Sequence, residues 1–84
     1  NIKRRVCVIS KELDTIVDFV LHDLHSGATL YHAYGAYDEK KYNEIITIVD
    51  KNEYVKLMNF VTQIDKEAFV TVYAVSEMRY QPKK

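Results

Sequence analysis

The chain has 84 residues, 48% of them hydrophobic, and balances 12 Lys or Arg against 12 Asp or Glu. That length makes one small domain with enough apolar side chains for a core, and the zero net charge argues against a dedicated nucleic-acid binder, which needs a basic face to displace counterions from phosphates. A lone Cys7 cannot form an internal disulfide and points to a reducing compartment, and no apolar run approaches the ~18 residues that span a bilayer.

In chain order, Arg5-Val6-Cys7-Val8-Ile9 reads as a buried strand. Ser10 follows as the expected N-cap of a helix whose Leu13, Ile16, Val17, Val20, Leu21 and Leu24 form an apolar stripe, with Gly27 as its stop. Ala28 to Tyr37 is aromatic and β-rich, Asp38-Glu39-Lys40-Lys41 is turn-like, and Tyr42 to Val49 is rich in β-branched residues, so the pair predicts a hairpin. Asp50-Lys51-Asn52-Glu53 has capping-box spacing, and Tyr54, Leu57, Met58, Val61 and Ile64 form the stripe of a second helix. Ala68 to Val75 is the last strand, and residues 78–84 are a polar tail expected to fray.

The order β-α-β-β-α-β is that of the ferredoxin-like α+β sandwich, a four-stranded antiparallel sheet with two helices on one face. The other face is then open to solvent or to a partner. In the last strand Val70, Val72 and Ala74 alternate with Phe69, Thr71, Tyr73 and Val75, so both faces carry apolar groups, and Tyr31, Tyr37 and Tyr42 add aromatic surface across the hairpin. A neutral chain with such a strand is expected to self-associate as a dimer or trimer.

The two glycines mark the segment for function. Glycine lets another group approach the backbone closely, and Gly27 and Gly35 flank a short apolar run in a chain with no other glycine. Candidate ligand-binding residues are therefore Ser26, Gly27, Thr29, Gly35, Ala36 and Tyr37, with Phe69 expected nearby. Each has a plainer reading: Gly27 as a helix C-cap, Thr29 and Tyr37 as strand formers. His22 and His25 have i,i+3 spacing but no flanking Cys or acid cluster, so they read as a polar helix face and no metal site is assigned. Cys7 reads as a buried structural thiol. No catalytic constellation is visible, so the chain does not read as an enzyme, and no cofactor is indicated. An RNA-recognition motif shares the strand order, but the neutral charge and the missing Lys/Arg-Gly-Phe segment oppose it.

The motifs Val8-Ile9-Ser10, Gly27-Ala28-Thr29, Gly35-Ala36-Tyr37, Ile64-Asp65 with Ala68-Phe69-Val70, and Val75-Ser76-Glu77-Met78 together resemble the DUF2179 domain, found at the C-terminus of YitT-type bacterial membrane proteins. The resemblance covers nearly the whole of residues 1–84. It implies a PII-like or ferredoxin-like fold on the cytoplasmic side of the bacterial plasma membrane, after a bundle of transmembrane helices that would precede residues 1–4. In that setting Lys3-Arg4-Arg5 reads as a juxtamembrane basic cluster, the alternative being a solvated start to an edge strand. The chain departs from the family pattern in having Ser26 where an Arg is usual, and Arg79-Tyr80-Gln81-Pro82 where a Gly-x-Gly-Phe-like segment is usual. The expected function is a sensory or regulatory module that binds a small molecule and forms a homo-oligomer; the alternative is a structural assembly domain without a ligand.

Overall fold

In the computed structural model, which describes residues 2–37 and 40–76, four strands and two helices follow the expected order. They are β1 (Lys3–Ile9), α1 (Leu13–Asp18) with a π-helical continuation (Phe19–Asp23), β2 (Ala28–Tyr34), β3 (Lys41–Val49), α2 (Lys51–Ile64) and β4 (Phe69–Val75). The sheet order is β2-β3-β1-β4 and every pairing is antiparallel. This is the α+β, ferredoxin-like arrangement. The polar tail 78–84 lies outside the described residues.

The central strand β1 carries the core. Val6 and Val8 are fully buried, and their cross-strand partners Thr47 and Ile45 lie on the same face. Both helices pack there, through Leu13, Ile16, Val20 and Leu24 from the first and Leu57 and Val61 from the second. Each such side chain contributes about 1.5–3 kcal/mol on leaving water. Val17 and Met58 are only half-buried, and Ile64 is exposed because it is the last helical residue, beyond the end of this cluster. An aromatic pair that the apolar stripes did not mark, Phe19 stacked on Phe60 at 4.1 Å between centroids, closes the seam between the helices.

Local geometry departs from expectation at both ends of the first helix. Ser10 is not its N-cap: Glu12 is, and the Ser10 hydroxyl instead accepts the Glu12 N–H at 2.9 Å in a turn ahead of the helix. At the other end the turns widen, with Leu24 N–H bonding Phe19 C=O and Ser26 N–H bonding Val20 C=O. Val20 and Leu24 thereby stay on the core while Leu21 turns out to solvent. The left-handed residue that ends the helix is His25, φ 54°, rather than Gly27, whose φ is not positive. The second helix meets its sequence signature: Asp50 accepts the Glu53 N–H and Glu53 accepts the Asp50 N–H, both at 2.8 Å.

β1 begins at Lys3, so Lys3 and Arg4 belong to the sheet rather than to a linker. Arg4 and Arg5 point to opposite faces, Arg4 over the Tyr54 ring at 4.8 Å and Arg5 over Tyr73 at 5.5 Å. Strand alternation splits the expected basic cluster, and β1 is an inner strand, not an edge. β2 stops at Tyr34, three residues short of the expected Tyr37, because Gly35 N–H donates to Lys40 C=O at 2.9 Å and closes the hairpin.

Val20 is fully buried between helix and sheet, so Val20→Asp places an unpaired carboxylate there and abolishes the cooperative thermal transition. His25→Gly relieves a left-handed side chain and raises stability by about 1 kcal/mol. Gly27→Ala, whose added Cβ meets nothing within 4 Å, leaves the melting temperature unchanged or slightly higher.

Candidate functional site

At the end of the sheet where β1 stops and β4 starts, one carboxylate ties the connections together. Asp65 is the C-cap of α2 and is 7% exposed. Ser10 Oγ donates to Asp65 Oδ2 at 2.7 Å, and the Glu67 N–H donates to Asp65 Oδ1 at 3.0 Å. The Ser10 hydrogen bond, the Glu67 N–H and the nearby Lys11 charge hold the Asp65 carboxyl below its ordinary pKa of 3.8, against a partial opposing effect of desolvation. Beside this lock runs an open groove of about 570 Å³, with Ile9, Ser10, Lys11, Asn43, Asp65 and Phe69 on its walls. Apolar Ile9 and Phe69 and polar or charged Ser10, Lys11, Asn43 and Asp65 share its lining.

The residues singled out in the sequence do not meet in one place. Ser26 Oγ donates to Glu53 Oε2 at 3.1 Å, and the Gly27 carbonyl accepts the Thr47 hydroxyl at 2.8 Å. Both therefore join the start of β2 to α2 and β3. Gly35, Ala36 and Tyr37 lie at the opposite end of β2, a seven-residue strand, about 20 Å away at the usual rise per residue. Thr29, opposite Ile46, faces away from the helices. Phe69 lies on β4, the other edge of the sheet, with β3 and β1 between it and β2. It is a wall of the groove beside Asp65, not a neighbour of Gly27 or Thr29. Sequence reasoning missed the Ser10–Asp65 lock, because a hydrogen bond spanning 55 residues has no local signature. His22 sits 3.5 Å from Asp18 on an exposed helix surface.

The face of the sheet away from the helices is left uncovered by the described residues. Cross-strand partners share a face. That rule puts Tyr73, Arg5 and Ile48 in one row, Thr71, Cys7, Ile46 and Thr29 in the next, and Phe69, Ile9, Glu44 and Tyr31 in a third. Phe69 is 62%, Tyr73 53%, Tyr31 48% and Ile48 40% exposed, values that no helix of this chain reduces. Within these rows the charged groups are Arg5 and Glu44.

The protein family described as uncharacterized, conserved in bacteria and designated DUF2179 matches residues 26–80. The chain belongs to this family. It is 35% identical over 72 residues to the UPF0750 membrane protein YdeO of Bacillus subtilis, covering 86% of this chain and 25% of YdeO. It is 31% identical over 78 residues to the UPF0750 membrane protein YvjA of the same organism, covering 93% of this chain and 28% of YvjA. The chain thus spans only about a quarter of these two relatives. Among solved structures, a DUF2179 protein from Eubacterium ventriosum superposes with a TM-score of 0.73 at 30% identity, over 84% of this chain and 97% of that one. CPII from Thiomonas intermedia, solved with ADP, AMP and acetate, superposes with a TM-score of 0.60 at 15% identity, over 90% and 89% of the two chains. A Thermus thermophilus protein described as PII-like gives 0.63 at 19% identity, over 88% and 85%. These last two likenesses establish the PII-like fold. Among the described residues of the DUF2179 domain, no helix is long and apolar enough to cross a membrane.

Because the folded pKa of Asp65 lies below its ordinary value of 3.8, its contribution to stability is fully present above the unfolded pKa and is lost as pH falls through the folded one. Thermal melts between pH 7 and pH 2 will therefore show wild-type stability declining in the acid range, and Asp65→Asn will flatten that decline while lowering stability at neutral pH.

Proposed function

We propose that this DUF2179 domain is a non-catalytic regulatory module of a bacterial membrane protein, lying on the cytoplasmic side, that self-associates and responds to a small molecule. The observation that carries the reading is the uncovered sheet face. Four large apolar side chains stand 40–62% exposed on it, and a contiguous apolar patch of this kind marks an interaction surface. Relatives named as membrane proteins, and the short span of their length that this chain covers, support the role of an appended module. A non-catalytic role fits the Ser10 hydroxyl, which donates to Asp65 and is thereby held as a structural group.

The ligand site that the geometry favours is the groove beside Ser10 and Asp65, with Phe69 as its apolar wall and Lys11 and Asn43 on its rim. Of the residues proposed from sequence, Phe69 lines this groove, while Gly35, Ala36 and Tyr37 stand at the same end of the sheet across the hairpin. Ser26 and Gly27 serve the attachment of β2 instead.

Two measurements test the reading. Sedimentation equilibrium at high micromolar concentration will give a mass above that of the 9.9 kDa monomer, and a clean monomer defeats the self-association. A thermal-shift screen of adenine nucleotides, small carboxylates and amino acids will raise the melting temperature with at least one, and Phe69→Ala will reduce that shift while Gly27→Ala does not. A screen with no shift leaves an assembly module without a ligand.

A further inference from the structure

The uncovered face says more about its cover than that it is apolar. Arg5, whose guanidinium lies over the Tyr73 ring, and Glu44 stand within its three rows, with Lys3 beyond them beside Val75 at the edge of the face, and neither Arg5 nor Glu44 has an ion-pair partner among the described residues. Glu44 is opposite Ile9, which follows Arg5 by four residues along β1. The two charges are therefore about 14 Å apart along the strands and one strand spacing, about 4.8 Å, apart across them. A purely apolar cover would strand both charges in a dry interface, where an uncompensated ion is strongly destabilising. The cover must supply a carboxylate over Arg5 and a cation over Glu44, at the same separation and in reversed order.

A second copy of this chain meets that requirement by symmetry. We propose that two copies pack sheet on sheet through this face, about a two-fold axis perpendicular to the strands and passing near the Cys7–Ile46 row. The proposal rests on the self-association read above and specifies its geometry. Rotation about that axis reverses strand direction while keeping each strand over its own counterpart. The Arg5 row then lies over the Ile9–Glu44 row of the second copy, and the same contact forms twice, as in any isologous interface. It also brings Tyr73 of each copy over Phe69 of the other, since these stand four residues apart on β4, and so covers the two most exposed aromatic side chains of the face. The roughly 10 Å spacing of packed sheets leaves room for interdigitating side chains but not for a water layer. The other in-plane two-fold, parallel to the strands, fails on charge. It gathers both Arg5 side chains at one end and both Glu44 side chains at the other, where like charges repel.

Charge reversal tests the orientation directly. Arg5→Glu sets a carboxylate against Glu44 of the second copy, and Glu44→Arg sets a cation against Arg5, in both symmetric contacts; each weakens self-association by about tenfold or more. The double variant R5E/E44R restores the complementary arrangement, and its dissociation constant returns to within a few-fold of wild type. Sedimentation equilibrium reads all four proteins, and circular dichroism with a thermal melt checks that each is folded. Glu44→Gln, which removes the charge without reversing it, weakens the dimer less than E44R and serves if a reversal impairs folding. A wild-type monomer overturns both this inference and the self-association behind it. A wild-type assembly other than a dimer, or one that neither reversal weakens, or a double variant no tighter than the single ones, overturns this inference alone and leaves self-association standing.

Discussion

Two helices have one apolar stripe each, and a four-stranded sheet has two faces. That mismatch governs the molecule. The helices spend both stripes on the side of the sheet carrying Val6, Val8, Ile45 and Val49, and nothing in the described chain remains to cover the other side. β1 is the strand on which the fold depends, because it pairs with both β3 and β4 and contributes three consecutive buried residues, Val6, Cys7 and Val8. A strand buried on both faces is usually found where both faces are covered. Here Cys7 is shielded on the open side by its neighbours in the sheet while longer side chains around it, Phe69 and Tyr73, project into solvent.

The connections between elements are held by side-chain oxygens rather than by further apolar contacts. Glu53 takes part in the capping box of α2 and also accepts the Ser26 hydroxyl, so one carboxylate fixes both the start of that helix and the approach to β2. Thr47, buried on the core face, satisfies its hydroxyl on the Gly27 carbonyl. Asp65 and Ser10 perform the corresponding task at the other end of the sheet. Buried polar groups are tolerated when each finds a partner, and no buried side-chain polar atom among the described residues lacks one. The consequence is a small domain whose connections at both ends of the sheet are tied by side-chain hydrogen bonds.

The domain matches only about a quarter of relatives such as YdeO and YvjA, and the uncovered face is the surface it offers to the rest of such a protein on the proposed reading. The groove at Asp65 borders that face through Ile9 and Phe69. On the proposed reading, a molecule in the groove and a second copy of the chain would both meet the Phe69 side chain.

The strand and helix order, the antiparallel ferredoxin-like class, the capping box at Asp50 and Glu53, and most of both apolar stripes were legible in the residues, because each rests on local periodicity or on spacing within one turn. The resemblance to DUF2179 was legible for a related reason, since short motifs in fixed order survive without knowledge of their contacts. The candidate site was not. Ser26 to Tyr37 are neighbours in sequence, yet an extended strand puts them at opposite ends of the sheet, and Phe69 lies at the other edge with two strands between. The end of the first helix also escaped, because π-helical widening allows His25 rather than Gly27 to turn the chain. Only the tertiary structure could join Ser10 to Asp65 across 55 residues or set Arg5 and Glu44 on one face. Pairing between distant strands decides which side chains become neighbours, and that register is a property of the assembled sheet, not of any segment within it.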